Sequence, residues 1–288
     1  MDLAVVVVIQ ILYAVAGLAL ISIGLAIIFG MMGVINFAHG EFLMMGGYAF
    51  ILSYNAGVNF WIAMLVVAPL AVAVIGVVVE RLIIRHLYGR VIETVLATWG
   101  LSLFLIGLAA TVLGYHQKGV TPPFGTIRIG AYQEGGYTFF VILVTLALMA
   151  ALYVGFKYTR WGLIARGTMQ NAQMASGIGV SVDRVYATTF GIGAALSGLA
   201  GAILAPIAGV LPEIGVTYVV KAFITVIGGG AVALAGTGAA SFLFGAVSQA
   251  VTFLSRPVVG EVALLVVAIV LLRLLPLGIT GRYFRRGL

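Results

Sequence analysis

Cysteine is absent from the 288 residues of this chain, and charged residues make up only 8% of it. Without cysteine the chain has no disulfides, no thiolate metal ligands and no cysteine nucleophile. The scarcity of charge, together with 63% hydrophobic residues, leaves too little polar surface to cover a water-soluble globule of this length. Apolar segments cross a bilayer as helices, so the composition predicts an all-α integral membrane protein.

A phosphate-binding motif of the form GxxxxGK[ST] is also missing, and no polar segment is long enough for a nucleotide-binding fold. We therefore expect a chain that is not an enzyme, with no catalytic site, no metal site and no cofactor of its own. Any ATP-driven work would come from a partner. The net charge of +7 lies in short basic clusters between apolar segments, which is typical of cytoplasmic loops and not of a nucleic-acid-binding surface.

Nine apolar segments have the length of about 20 residues that a membrane helix needs. The start of the chain has the acidic Asp2 in place of a basic n-region and stays apolar too long for a signal peptide, which predicts a first membrane span. The sequence thus predicts a bundle of about nine transmembrane helices, with eight to ten also compatible, in a single membrane domain over 1–288. The predicted spans lie near 4–29, 36–54, 60–80, 94–114, 138–156, 186–206, 219–236, 239–255 and 261–278.

The distribution of Lys and Arg predicts the orientation of these spans, because basic residues gather in cytoplasmic loops. With the N-terminus outside, eleven basic residues lie at or near the cytoplasmic side and four lie outside. This topology makes Lys157–Arg184 and the C-terminus cytoplasmic and Tyr115–Tyr137 external. The four outside are Lys118, Arg128, Lys221 and Arg256; the eleven are Arg81, Arg85, Arg90, Lys157, Arg160, Arg166, Arg184, Arg273, Arg282, Arg285 and Arg286.

Between Gly30 and Gly47, three polar residues, Asn36, His39 and Glu41, interrupt an apolar and glycine-rich run. Non-helical backbone at membrane depth persists only where protein buries it or where it lines a wet cavity, so one interpretation is a pathway wall or gate. The other is a cytoplasmic-side turn in which Asn36 and His39 cap helix ends and Glu41 lies in a first helical turn. The sequence leaves both open.

Small residues are dense in Gly191–Gly201 and again in Gly228–Gly245. Such stretches let helix backbones approach closely in lipid, which favours helix packing. A pore wall is the alternative, because glycine removes side-chain bulk from a path for small solutes.

The segment Lys157–Arg184 is a polar region between long apolar spans. Within it, the sequence predicts a short helix over Thr168–Gly177, with Thr168 as N-cap and Gly177 as stop. The helix is too short to be stable alone, so it would bind a partner subunit or lie in a loop on the lipid headgroups.

Four ordered motifs resemble the LivH-type permease subunits of ABC importers for branched-chain amino acids, a family that also includes permeases for urea and short amides. They extend over much of the chain. The motifs are GVINFAHGEFLMMGGY at Gly33–Tyr48, ERLIIRHLYGR at Glu80–Arg90, ETVLATWGLSL at Glu93–Leu103 and TRWGLIARGTMQNAQMASGIGV at Thr159–Val180.

The resemblance implies a multi-pass subunit of a bacterial or archaeal inner membrane that forms half of a translocation pathway for hydrophobic amino acids. Its partners would be a second, LivM-like permease, two cytoplasmic ATPases that bind ATP and Mg²⁺, and a periplasmic solute-binding protein, all beside membrane lipid. Urea or a short amide is the alternative substrate. A passive channel and a proton-coupled carrier are the alternatives of other classes.

In ABC importers a cytoplasmic EAAxxxG-like loop forms the coupling helix that docks on the ATPase, and the resemblance places it within 157–184. Aligning the motif glycine on Gly177 leaves only the first alanine and the glycine matched, and the glutamate is missing. Docking would then use shape, backbone contacts and amide side chains. The implied coupling residues are Gln170, Asn171, Ala172, Gln173, Ala175 and Gly177.

Overall fold

The structure, a computed structural model, describes residues 2–230 and 233–284, without the side chains of 233 and 282–284. Most of this chain is helical, as the apolar composition predicts. The longer helices are α1 (Asp2–Met32), α2 (His39–Asn55), α3 (Phe60–Leu82), α4 (Val91–Leu113), α5 (Gly136–Tyr158), α6 (Arg160–Gln170), α8 (Val182–Ala208), α9 (Ile214–Gly229), α10 (Ala233–Leu254) and α11 (Pro257–Leu274). Two short helices are α7 (Ala172–Gly177) and α12 (Gly278–Phe284).

Each predicted span corresponds to a helix, but the described chain contains only seven helices that are long and apolar enough to cross a membrane. The other two are α2, with 17 residues, and α9, with 16. The count of nine is therefore not confirmed by length and composition. The seventh span was also predicted too late, at 219–236, whereas α9 ends at Gly229 and residues 231 and 232 lie outside the described chain.

A β-hairpin in the segment between α4 and α5 departs from the all-α expectation. Its strands, β1 (Thr126–Ile129) and β2 (Tyr132–Gly135), pair antiparallel with Ile129 opposite Tyr132. Gly130 takes a φ of +60° in the two-residue turn, a conformation that glycine adopts without strain.

The chain divides into two compact units. The helical unit comprises Ile23–Thr121 and Leu152–Val220, and the hairpin unit comprises Met1–Ser22, Pro122–Ala151 and Lys221–Leu288.

In the helical unit, α8 packs against both α2 and α3. The buried Phe42 and Phe190 rings meet edge to face with their centroids 6.0 Å apart. A methyl group added at Gly46 would overlap the backbone of Gly198, and one added at Gly201 would overlap the backbone of Leu43. The small residues of α8 thus serve close helix packing, as one of the two sequence interpretations predicts.

In the hairpin unit, the start of α1 lies beside the hairpin. A methyl group added at Gly130 would overlap the Asp2 carboxylate. Farther along α1, Gln10 Nε2 donates a hydrogen bond to Glu134 Oε1 at 2.8 Å, and Gln249 Nε2 donates to Gln10 Oε1 at 3.4 Å. These bonds connect α1 with β2 and with the last third of α10.

Candidate functional site

A break between α1 and α2 contains the predicted residue Asn36. Gly33, with a φ of +63°, follows the end of α1. The fully buried Asn36 accepts a hydrogen bond at Oδ1 from the Ala38 backbone N–H at 3.1 Å, and the Phe37 N–H donates to Thr98 Oγ1 on α4, also at 3.1 Å. Protein groups therefore satisfy non-helical backbone here, as backbone away from water requires.

His39 is the first residue of α2 and is fully buried. Its Nδ1 lies 3.2 Å from Ser197 Oγ on α8, and the Ser197 hydroxyl lies 2.8 Å from the Gly193 carbonyl. A serine hydroxyl has one proton to donate, so its bond to Gly193 assigns the proton between the two side chains to His39 Nδ1. His39 thereby ties the start of α2 to the middle of α8.

Glu41 lies in the first turn of α2 with no exposed surface, as the sequence predicts for its position. The positive end of the helix dipole favours a carboxylate there. Ser102 on α4 lies beside this carboxylate, but among the described residues neither Glu41 oxygen has a partner with hydrogen-bond geometry. The carboxylate is thus buried without a matched donor.

The capping roles considered for Asn36 and His39 are wrong. The N-cap of α2 is Ala38, which makes no side-chain capping bond. His39 lies inside the helix, and the Asn36 side chain closes a turn before it.

The polar segment Lys157–Arg184 folds into two helices instead of one. Thr159 caps α6 by accepting a hydrogen bond from Gly162 N at 3.0 Å, and Asn171 caps α7 by accepting one from Met174 N at 2.9 Å. The prediction of Thr168 as N-cap is wrong, because Thr168 lies within α6 and donates to Ile164 O at 2.9 Å. Its hydroxyl is therefore used inside the helix. The predicted end at Gly177 is confirmed.

Most of the predicted coupling residues face outward. Ala172 is half-buried, and Ala175 is buried and faces inward; the exposed residues are Gln170, Asn171, Gln173 and Gly177. The sequence reasoning missed two apolar neighbours, Met174 and Ile178, which are 67% and 79% exposed. Their spacing of four residues was the available signal, because residues four apart lie on one helical face.

A second feature missed from the sequence connects the α3–α4 loop with the start of α8. Glu80, at the end of α3, is 1% exposed and accepts a hydrogen bond from the Tyr88 hydroxyl. The Tyr88 ring packs on Tyr186 with centroids 4.8 Å apart, and Arg85 pairs with Asp183 at 3.1 Å. Burial and the bond to Glu80 raise the pKa of the Tyr88 phenol, so it remains a donor near neutral pH. We call these five residues the loop clamp.

The structure does not bring the two predicted residue sets into one site. Asn36, His39 and Glu41 lie around the break, while the coupling residues lie on α6 and α7. Helix α8 is the physical link: it contacts α6 and α7 and, farther along, bonds to His39. Within the described chain, no three His, Asp or Glu side chains lie together as a metal site.

Comparison with known proteins places this arrangement among transport permeases. The family described as "Branched-chain amino acid transport system / permease component" matches residues 7–275. The chain is 32% identical over 283 residues to the high-affinity branched-chain amino acid transport system permease protein LivH of Salmonella typhimurium, covering 92% of this chain and 91% of the relative. It is 31% identical over 247 residues to the corresponding protein BraD of Pseudomonas aeruginosa, covering 79% of each.

Among solved structures, PsaBC from Streptococcus pneumoniae in complex with Fab has a similar fold. The TM-score is 0.50 at 16% sequence identity, over 97% of this chain and 94% of that one. At this identity the likeness concerns the fold alone.

Proposed function

The chain belongs to the family of branched-chain amino acid transport permease components, and from this we propose that it forms half of the translocation pathway of an ABC importer for hydrophobic amino acids. It is a multi-pass protein of the inner membrane. The names of the relatives above favour branched-chain amino acids over urea or a short amide as the substrate.

In this proposal, ATP and Mg²⁺ bind to two partner ATPases, a second permease completes the pathway, and an external binding protein delivers the solute. The coupling surface for an ATPase is the exposed face of α6 and α7, around Gln170, Asn171, Gln173 and Gly177. The exposed Met174 and Ile178 add apolar contact area where the motif glutamate is missing.

The path from that surface to the membrane interior follows α8. Only four residues separate the end of α7 from the start of α8, so force on α7 acts directly on α8. Through the Ser197–His39 bond, α8 holds the start of α2. The loop clamp ties the start of α8 to α3. We propose that Asn36, His39 and Glu41 line or gate the pathway and respond to this motion.

We also propose one permease domain with nine spans, an external N-terminus and a cytoplasmic C-terminus. The contact between Asp2 and Gly130 puts the start of α1 on the same side as the hairpin. The chain must then cross the membrane an even number of times between the start of α1 and the hairpin. Helices α1, α3 and α4 supply three, so this contact supports a crossing by the short helix α2.

A contact between α1 and α10 supports a membrane crossing by α9. Gln10 lies near the external start of α1, and its partner Gln249 lies near the end of α10. Helix α10 would then run outward, which requires that α9 cross inward before it. The absence of cysteine permits a direct test with single cysteines and an impermeant maleimide in intact cells. We expect labelling of Gly119→Cys and none of Ser176→Cys; the reverse pattern would invert the topology.

The observation that carries the function is an exposed two-helix segment joined through α8 to a buried polar break. The test reconstitutes the chain with its partner subunits in proteoliposomes and measures leucine uptake. Uptake should require ATP and the ATPases, and uptake by this chain alone without ATP would refute the proposal.

The variant Gly177→Trp separates docking from membrane insertion. A Cβ at Gly177 would contact nothing beyond its own helix backbone among the described residues, so the variant should insert normally. Its indole would obstruct the ATPase, and solute-stimulated ATP hydrolysis should be lost. Ser176→Ala, on the same short helix, is the matched control and should keep it.

A further inference from the structure

Buried polar atoms without hydrogen-bond partners concentrate on one segment of the described chain. They include Asn36 Nδ2, both carboxylate oxygens of Glu41 and the Tyr48 hydroxyl. Asn36 and Glu41 are fully buried and Tyr48 is 3% exposed. Unmatched polar groups in an interior are costly, most of all when charged, so three such residues within one short segment require a reason.

The unmatched groups on α2 share a helix face. Glu41 and Tyr48 are seven residues apart, which places them two turns apart on one side of the helix. His39 and Leu43, which contact α8, lie about half a turn away around α2. The unmatched face of α2 is therefore not the face that packs on α8.

We infer that the segment Asn36–Tyr48 carries a recognition site for the zwitterionic head of the transported amino acid. The Glu41 carboxylate binds the ammonium group, and the Asn36 side-chain amide donates to the carboxylate. This inference rests on the proposed transport function and names the chemistry by which the pathway selects its substrate.

The chemistry of the two unmatched groups fits this ligand. A carboxylate only accepts hydrogen bonds, and an ammonium group only donates them. Asn36 Nδ2 is a donor with its own oxygen already engaged by Ala38, so what remains of it suits an anionic acceptor. A zwitterion supplies both complements at once and adds no net charge to the buried site.

An uncharged solute fits poorly. Urea or a short amide carries no positive group that would compensate an ionised Glu41 carboxylate. Ser102 on α4 lies beside the Glu41 carboxylate, one turn from Thr98, which binds the backbone of the break. The Ser102 hydroxyl can adjust to a bound head group without introducing another charge.

The test uses the complete importer in proteoliposomes, with ATP, the binding protein and L-leucine as the probe. In Glu41→Gln, leucine uptake should fall about tenfold or more, since a charge-assisted bond is lost. ATP hydrolysis stimulated by the binding protein should stay within about twofold, because the coupling path through α8 is intact. Glu41→Asp should keep part of the uptake.

Glu93→Gln is the matched control, because Glu93 also lies in the first turn of a helix but is exposed. Both of its activities should be unchanged. A second measurement uses Tyr48→Cys in this cysteine-free chain and follows the reaction of the introduced thiol with a small thiol reagent during turnover. Leucine should slow that reaction when Glu41 is present and not in the Glu41→Gln background.

Three outcomes would overturn the inference. They are unchanged leucine uptake by Glu41→Gln, equal protection of the thiol introduced by Tyr48→Cys in both backgrounds, and loss of folding in both Glu41→Gln and Glu41→Asp, which would make the carboxylate structural. The proposed function fails differently, by leucine uptake without ATP or by no uptake at all in the unmodified complex.

Discussion

Substitution of Gly46 by alanine tests the close contact between α2 and α8. The added methyl group would overlap the carbonyl oxygen, carbonyl carbon and Cα of Gly198. All three are backbone atoms, so no side-chain rotation can relieve the overlap. The helices must separate by about 1 Å to restore a normal contact distance.

Overpacking of this kind costs about 1–3 kcal/mol. For a chain of this size each kcal/mol lowers the melting temperature by about 2–4 °C, so we expect a fall of about 2–12 °C. The assay heats the purified protein in detergent and monitors its unfolding as the loss of the monodisperse chromatography peak. Leucine uptake should fall as well, because the same helix pair holds His39.

Gly107→Ala is the control. Gly107 lies within α4, and a methyl group there would contact nothing beyond its own helix backbone in the part of the chain that the structure describes. Since alanine is favoured over glycine within a helix by up to about 1 kcal/mol, this variant should be as stable as the parent or more so. If Gly46→Ala melts within about 1 °C of Gly107→Ala, the α2–α8 contact does not hold the fold together as argued.

Two further predictions concern the cytoplasmic side. Asn171→Ala removes the α7 cap, which should cost about 1 kcal/mol of helix stability and lower solute-stimulated ATP hydrolysis. Ser176→Ala, on the same helix, keeps the cap and should not, and equal effects would contradict the role of the cap. Tyr88→Phe leaves the buried Glu80 without its donor. The melting temperature should therefore fall by an amount equivalent to about 1–3 kcal/mol. An unchanged melting temperature would mean that the loop clamp contributes nothing to stability.

Hydropathy located the helices because a membrane span must be apolar over most of its length. It failed at the end of α9, where the sequence stays apolar and small on both sides of Gly229. The helix stops because Gly230 adopts a φ of +85°, which a window average cannot register. The hairpin was missed although Ile129-Gly130-Ala131-Tyr132 has the glycine-containing two-residue turn of a β-hairpin.

The misplaced N-cap has a similar origin. Thr168 and Asn171 both have side chains that cap helices, and sequence alone does not rank them. The choice depends on where α6 begins, and Thr159 fixes that start by capping it. Because α6 extends from Arg160 to Gln170, Thr168 lies inside a helix, and Asn171 caps the next one.

The hydrogen bond that satisfies the Phe37 N–H in the break could not be predicted, because its acceptor, Thr98, lies about 60 residues away in the chain. Thr94, Thr98 and Ser102 recur every fourth residue of α4 and are all buried. This spacing puts three hydroxyl groups on one face, and Thr98 binds the backbone of the break. The regular spacing of these three residues was visible in the sequence, but the backbone that Thr98 binds was not.

The same contacts explain why the four motifs occur together in one chain. The first motif supplies the buried break, and the third supplies Thr98, whose hydroxyl accepts a hydrogen bond from the Phe37 N–H there. The second motif supplies Glu80, Arg85 and Tyr88 of the loop clamp, which holds the start of α8. The fourth folds into α6 and α7, which lead into that same start. Since α8 also bonds to the break through Ser197, the motifs form one mechanical connection from the coupling surface to Glu41. A substitution that breaks one of these contacts should therefore alter uptake at a given rate of ATP hydrolysis, and not the hydrolysis itself, unless it lies on α6 or α7.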